Sequence, residues 1–369
     1  MKLVFVTLAL AAAPAAAFAP HVPESDEPTV SPTSYPTVKP TIKEVECVDA
    51  GCAEHPQCNK TNYDSGVVPF AGEDEVYLSG HYLRIGVNAY GTFGTYNTAG
   101  CPAPECTWNQ VGGGNGGLGL EQDTDGFGVC TTSPTGDFFL PGAPYYMFCV
   151  GYKTTATGSY VTACNDRDGG SPGADNDLGL ASVTDASSGG NLRAEMNLTF
   201  GPLKLEAAYS FDVCSKKVRV DAHFENVGSA PIYDVAYTIG VDPDQDREPS
   251  GTHNTINSIE GQLSQGDNFT AVCAEGVVSG ISMCLTTDIA TSYAFDQESF
   301  GANVIATKQP IASAFVPPKG TTNTADWGKN LMTIQEGALA AGETSGNLGM
   351  YLGLGVKDDI VEPENEICE

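Results

Sequence analysis

From about Glu75 to Val356 the chain alternates apolar and polar residues with period two, and windows of helical period are nearly absent. Alternation puts every second side chain on one face of an extended segment, so the pattern predicts half-buried strands of antiparallel sheets. Leu83, Ile85, Val87 and Ala89 alternate with Tyr82, Arg84, Gly86 and Asn88 until Gly91 and Gly94 break the run. The strongest unit reads as a three-strand meander. Leu203, Leu205, Ala207, Tyr209, Phe211 and Val213 share one face, a turn through Cys214 to Lys217 reverses the chain, and Val218, Val220, Ala222 and Phe224 share the next. A second turn at Gly228-Ser229-Ala230-Pro231 leads into Tyr233, Val235, Tyr237, Ile239 and Val241. The last strand carries Leu348, Met350, Leu352, Leu354 and Val356 on one side and Gly349, Gly353 and Gly355 on the other. Glycine in that position permits close approach by another backbone or a ligand, or marks a flattened region.

The 43 glycines and 23 prolines cluster in loops such as Gly112 to Gly119 and Asp166 to Asp177. Together with the alternation they predict an all-β fold, a large antiparallel β-sandwich of about twelve to eighteen strands, built as a super-sandwich or as two joined sandwiches. This domain is expected over residues 75–356.

The segments around it have different compositions. Lys2 is the sole charge of a leader in which Leu3 to Ala13 form an apolar run too short to span a bilayer, and Ala15-Ala16-Ala17 supplies a small-residue cleavage site. Residues 1–17 are therefore expected to be a signal peptide. Residues 18–46 repeat Pro28-Thr29, Pro32-Thr33, Pro36-Thr37 and Pro40-Thr41, which predicts a disordered, extended stalk open to O-glycosylation. Residues 47–74 hold Cys47, Cys52 and Cys58 in a small Cys-rich segment, and residues 357–369 form an acidic tail. Neither a glycolipid anchor signal nor a transmembrane segment beyond the leader is expected there.

Behind a leader, twelve cysteines read as disulfides, and neither their spacing nor the five scattered histidines suits zinc. Three sequons, at Asn59, Asn197 and Asn268, are candidate N-glycosylation sites. The charge balance sets 46 acids against 17 bases, a formal net charge of −29. Such a surface excludes nucleic-acid binding and favours calcium, polyamines or other cationic partners.

Several constellations carry possible chemistry. Asp242, Asp244, Asp246 and Glu248 fall at alternate positions after Val241, so in an extended chain their carboxylates would converge on a hard cation, and Ca2+ is the expected ligand. Arg247 stands where an EF-hand loop requires glycine, which argues for a site in a β-loop. Asp123-Thr124-Asp125-Gly126 and Asp166-Arg167-Asp168-Gly169, followed by Asp175 and Asp177, are weaker versions of the same pattern. Gly169-Gly170-Ser171-Pro172-Gly173 matches the spacing of a nucleophile elbow but lacks the strand before and helix after that such an elbow needs. His223, between Asp221 and Glu225 with Arg219 beyond, reads as part of a surface salt-bridge ladder. Trp108 and Trp327, and with them Tyr145, Tyr146 and Tyr160, are candidate carbohydrate contacts in loop-like polar surroundings. No organic cofactor is indicated.

Two short stretches carry resemblances. Ala15 to Pro20, reading Ala-Ala-Ala-Phe-Ala-Pro, resembles the cleavage region of secretory or two-part plastid presequences of diatoms and related algae, which implies delivery through the secretory route, with the plastid as the alternative destination. Residues 217–241, with Asn226 to Pro231 at the turn, resemble secreted immunoglobulin-like surface repeats, which implies adhesion or display. Taken together these features predict a secreted or cell-wall-associated acidic glycoprotein that binds, adheres or displays. Calcium would stabilise it, and its partner would be an extracellular polysaccharide or surface glycoprotein. The alternatives are an extracellular carbohydrate-active enzyme of lyase, hydrolase or epimerase type, with a carboxylate or His81 as base, and an acidic matrix protein that binds polyamines or mineral.

Overall fold

A computed structural model describes residues 63–70, 73–95, 119–122, 136–139, 146–166, 177–243, 245–246, 251–297, 303–307, 317–325, 328–355 and 357–363. They form nineteen strands, two one-turn α-helices and a three-residue 3-10 helix, Leu263–Gln265. The first sheet runs in chain order through β1 (Asp64–Phe70), β2 (Glu73–Ser79), β3 (Leu83–Val87), β4 (Leu120–Gln122) and β5 (Gly136–Phe139). The remaining strands are β6 (Tyr146–Lys153), β7 (Tyr160–Asp166), β8 (Ser182–Asp185), β9 (Asn191–Phe200), β10 (Leu203–Asp212), β11 (Lys217–Asn226), β12 (Ile232–Val241), β13 (Thr255–Gly261), β14 (Thr270–Gly276), β15 (Ser282–Thr287), β16 (Ser292–Gln297), β17 (Thr322–Ala325), β18 (Gly328–Leu339) and β19 (Met350–Gly355), with helices α1 (Val304–Thr307) and α2 (Lys357–Ile360). Nine of them make one sheet in the order β17-β13-β14-β15-β19-β11-β10-β9-β8, and five make a third sheet in the order β16-β18-β12-β6-β7. Every pairing between these strands is antiparallel, so the all-β antiparallel expectation is met.

The sandwich follows from where the apolar faces point. β13, β14 and β15 pack on β16 and β18 of the third sheet, while β8 and β9, at the other end of the long sheet, pack on β1 and β2. One continuous core runs between all three sheets, from Val76 and Ile85 through Phe148 and Tyr237 to Leu205, Val272 and Leu352. Each fully buried aliphatic or aromatic side chain there contributes roughly 1.5–3 kcal/mol before ordering costs.

The expected meander is only partly correct. β10 and β11 pair as the alternation predicts, but β11 takes β19 as its other neighbour and β12 joins the third sheet. Asn226 explains the departure: its Nδ2 donates to the carbonyls of Ala230 and Leu339, both at 2.9 Å, and folds residues 227–231 into a crossover between sheets. Phe224 and Tyr237 consequently face one another across the core, with ring centroids 6.1 Å apart.

Two disulfides join residues directly opposite each other on neighbouring strands, Cys149 to Cys164 across β6 and β7 and Cys273 to Cys284 across β14 and β15. Cys214 is disulfide-bonded as well. The glycine face of β19 receives the chain's own C-terminal segment. Ile360 of α2 packs on the Cys273–Cys284 bridge, and a Cβ added to Gly353 would lie 2.7 Å from the Ile360 Cβ. Lys357 pairs with Glu260 at 3.0 Å, and Lys217 Nζ donates to the Glu362 carbonyl at 3.1 Å, fixing both ends of the strap. Among the described residues no helix is long and apolar enough to cross a membrane.

Two outcomes follow. Gly353→Ala forces Ile360 off the bridge and is expected to destabilise the fold by about 1–3 kcal/mol, read from the denaturant midpoint. Alkali will also unfold the protein. Burial first, then neighbouring phenols, pushes Tyr146 above the ordinary phenol value of about 10, and burial likewise raises Tyr209 and Tyr237. The unfolded chain loses these protons at lower pH than the folded one, so their contribution is complete below pH about 10 and is lost as pH rises through the folded values. Phenolate absorbance and far-ultraviolet dichroism should therefore change together in an alkaline titration.

Candidate functional site

The outer face of the third sheet, turned away from the main core, gathers an unusual set of side chains at one end. β6 closes on Lys153, and residues 154–159 form a hairpin with Thr154, Thr155, Thr157 and Ser159 exposed. β7 then opens on Tyr160, directly opposite Lys153. On the neighbouring strand β12 the register slips between Tyr233 and Val235 against β18, and between Tyr233 and Ala236 against β6. Asp234 sits in this bulge at φ 48°, the one non-glycine residue with positive φ among those described. Aspartate tolerates this left-handed conformation because its short side chain can bond locally.

Asp234 is held from both sides. Its Oδ2 accepts from Lys153 Nζ at 2.8 Å, and its Oδ1 accepts from the Gly337 N–H of β18 at 2.8 Å. Gly337 itself stands at φ 90°, a conformation only glycine adopts freely. The Lys153 ammonium lies 4.8 Å from the centroid of the Tyr160 ring, so one cation serves both the carboxylate and the aromatic face. Lys153 and Asp234 side chains are each 22% exposed, which screens the pair less than a fully solvated one.

Tyr293 of β16 and Glu336 of β18 complete the cluster. Tyr160 and Tyr293 both rest on a buried floor that includes Met147, Phe295 and Met332, the Cys149–Cys164 bridge, and Val304 and Ile305 of α1. Gly151 makes room for this arrangement, since an added Cβ would lie 2.8 Å from Ile305 Cγ2 and 3.2 Å from Tyr160 Cδ1. Burial raises the Tyr160 phenol far above its ordinary value, aided by the charges of Asp234 and Glu336 and by the Tyr293 phenol. Burial and Glu336 raise Tyr293 in the same direction. Both phenols therefore remain O–H donors at any physiological pH. Glu336 is exposed and has no ion-pair or hydrogen-bond partner among the described residues. The cluster thus offers two aromatic rings, two carboxylates, an ammonium and a row of hydroxyls, all mounted on strands or a tight hairpin.

Among the described residues that sequence singled out, Tyr160 alone belongs to this cluster. Asp242 and Asp246 are buried, and Asp244 and Glu248 lie outside the described residues. Asp246 clamps the β14–β15 turn, its Oδ2 accepting from Val278 N at 2.6 Å and its Oδ1 from Ser279 N at 2.9 Å, while Gln245 Nε2 donates to the Ala274 carbonyl at 2.8 Å. The extended geometry that would align alternate carboxylates ends with β12 at Val241. No group of three His, Cys, Asp or Glu side chains able to hold a metal occurs among the described residues.

Asn197 and Asn268 are exposed, and Asn59 is outside the described residues, as are Trp108, Trp327 and Tyr145. Tyr146 is not a loop residue: it is fully buried in β6. His81 is buried between β2 and β3, its ring edge-on to Tyr82 at 4.5 Å. His223 lies on the outward face of β11 beside the ladder that the sequence suggested. Asp221 there bridges Arg219 at 2.9 Å and Arg193 at 3.7 Å and also accepts from Asn347 Nδ2 at 2.7 Å. Asp166 is the buried last residue of β7, and Asp123, Asp125, Asp168, Asp175 and Ser171 are outside the described residues.

Lys153, Asp234, Tyr293 and Glu336 were not singled out by sequence reasoning. They are far apart in the chain, and only the order of strands in the third sheet brings them together. The one local signal was Tyr160, an aromatic following a hydroxyl-rich hairpin.

Asp246→Ala removes two bonds to a buried carboxylate and is expected to cost about 3 kcal/mol or more, with or without a calcium chelator. A loss confined to calcium-containing buffer would return the segment to a metal-binding role.

No protein-family model and no curated protein matches this chain. Among solved structures it is similar to a bacterial glucoamylase in complex with acarbose, at 12% identity and a TM-score of 0.37 over 58% of this chain and 27% of the glucoamylase. It is also similar to an Escherichia coli protein assigned as an aldose 1-epimerase, at 12% identity and a TM-score of 0.35 over 79% of this chain and 99% of that one. A third likeness is to a GH36 alpha-galactosidase of Geobacillus stearothermophilus, at 10% identity and a TM-score of 0.29 over 79% of this chain and 40% of the enzyme. The chain thus spans about a quarter of the glucoamylase's length, and all three superpose on it only in part.

Proposed function

We propose that this protein is an exported glycoprotein that binds carbohydrate, from an extracellular polysaccharide or a surface glycoprotein, on the outer rim of its third sheet, and that it does so without turnover. The observation that carries the reading is the Lys153 ammonium fixed between the Asp234 carboxylate and the Tyr160 ring, with Tyr293 and Glu336 alongside. Sugars are recognised by fixed donors and acceptors around their hydroxyls and by aromatic surface against their C–H faces. Groups mounted on strands and locked by a bulge lose little freedom on binding, so more of each contact appears as affinity. The leader, the cysteine pairs and the exposed sequons at Asn197 and Asn268 support passage through an oxidising secretory lumen.

The test is calorimetric titration of the secreted protein with a panel of neutral, amino and acidic oligosaccharides, with reducing ends assayed in parallel. Binding without release of reducing ends is expected, and Tyr160→Ala and Tyr293→Ala should each weaken it about tenfold or more. Reducing-end release would favour the catalytic alternative, and binding unaffected by both substitutions would remove this face from consideration.

A further inference from the structure

The outward face of β15 carries Ser282, Cys284 and Thr286 in a row, because Met283 and Leu285 between them point into the main core. Cys284 is bridged to Cys273, and on the neighbouring strand β19 the residues opposite Ser282 and Cys284 are Gly355 and Gly353. The glycines leave a trough beside the bridge, and the C-terminal strap fills it. Ile360 lies fully buried on Cys273 and Cys284, with Val361 packed alongside. We propose that the strap, residues 357–362, is a lid poised to open, and that the Cys273–Cys284 bridge beneath it is a redox switch that a dithiol reduces only when the lid is off. The lid works whether or not the rim of the third sheet binds carbohydrate.

Three observations carry the inference. The lid matches its seat poorly: the Ser282 hydroxyl is fully buried with no hydrogen-bond partner among the described residues, as is the Thr286 hydroxyl further along the same face. A Cβ added to Gly355 would lie 4.0 Å from Ile360 Cγ2, so the strap reaches the Ser282 end of the trough. Covering an unpaired hydroxyl is unfavourable, and opening the lid gives that hydroxyl to water. The strap is also lightly held, by one turn of helix with Ile360 as its fully buried anchor, the partly exposed Lys357–Glu260 pair at 3.0 Å and the Lys217 bond to the Glu362 carbonyl at 3.1 Å. A short segment of this kind opens at lower free energy than the strands beneath it. Finally, both bridge cysteines are fully buried, so a reductant reaches sulfur only after the strap moves. One thiolate of the dithiol then attacks a bridge sulfur, and the other cysteine leaves as a thiolate and takes up a proton. The second thiol of the reductant displaces the first cysteine, so two electrons and two protons pass to the bridge and the reductant ends as its own disulfide. Reduction frees the two sulfurs under Ile360, so opening favours reduction and reduction favours opening.

The experiment exposes the intact oxidised protein to dithiothreitol under native conditions, alkylates free thiols at intervals and maps both bridges by peptide mass spectrometry. Cys149–Cys164, packed with Val304 and Ile305 of α1, is the internal reference. Cys273–Cys284 should be reduced first, while the far-ultraviolet dichroism is unchanged. Ile360→Ala and Lys357→Ala should each speed its reduction about fivefold or more without speeding that of Cys149–Cys164. Ser282→Ala should slow it by about the same factor, because the closed lid then covers one unpaired hydroxyl fewer. Lys357→Ala and Ser282→Ala decide the matter where Ile360→Ala unfolds the protein. Reduction of the two wild-type bridges only together, and with loss of dichroism, would overturn the lid. So would reduction of Cys273–Cys284 at a rate that Lys357→Ala and Ser282→Ala leave unmoved, or that Ser282→Ala raises.

Discussion

Three buried phenols decide how the sheets of this protein meet. Tyr146 and Tyr237 come from the third sheet and Tyr209 from the long sheet, and all three are fully buried. A hydroxyl in an apolar core costs several kcal/mol unless it finds a partner. Here Tyr146 donates to Tyr209 at 3.2 Å, and Tyr209 donates to the Gly91 carbonyl at 2.7 Å. Gly91 belongs to the turn that follows β3, and two residues later Phe93 stacks on Tyr146 with centroids 4.2 Å apart. The requirement to satisfy the Tyr146 and Tyr209 hydroxyls therefore ties all three sheets to one point, with the depth of insertion set by hydrogen-bond length, while Tyr237 joins through its ring, packed on Phe148 and Phe224. Apolar burial supplies most of the driving force, but it is non-directional; this chain of phenols supplies the registration.

Once β6 and β12 are fixed by their inward tyrosines, their outward residues are fixed too, because side chains alternate across a strand. Lys153 is an outward residue of β6, and Asp234 occupies the point where β12 bulges. The bulge turns a side chain that would otherwise compete with the packed face toward the rim, and its left-handed backbone is stabilised by the Gly337 N–H and by Lys153. The Cys149–Cys164 bridge lies in the floor on which Tyr160 and Tyr293 rest. The site is thus a consequence of core geometry carried through two strands to the opposite face of the same sheet.

How much of this was legible in the chain depends on whether the information was local. Period-two alternation identified the strands around Leu83, Leu205, Val220, Tyr237 and Leu352 because each strand must present one dry face, a property of adjacent residues. Alternation could not tell whether β12 stays beside β11 or crosses to the facing sheet, since both arrangements bury the same residues. The decision lies in Asn226, whose side chain reaches Leu339, more than a hundred positions away. The glycines of β19 left close approach or a flattened region open; the structure shows close approach at Gly353, and the approaching partner, Ile360 of the chain's own tail, had no local signature. The acidic run after Val241 shows the complementary dependence on distant chain. Its even spacing matters only while the chain stays extended, and Asp246 is instead drawn into the β14–β15 turn by two backbone N–H groups.

The same physics separates the rim from the other charged face of the molecule. On the outward side of β9 to β11, Arg193, Arg219 and Asn347 converge on Asp221, and Glu195 takes the Arg193 Nε. Charges there are consumed by one another, as cross-strand pairs on a sheet surface tend to be. On the third sheet the accounting does not close. Asp234 and Glu336 lie on neighbouring strands, β12 and β18; Lys153, on β6 at the other side of β12, satisfies Asp234 with good geometry while Glu336 stays exposed. Like charges on adjacent strands destabilise a sheet unless a counter-charge is present. Asp221 is met by two arginines and Asp234 by Lys153, whereas Glu336 stands in solvent, which screens its charge in place of a paired side chain.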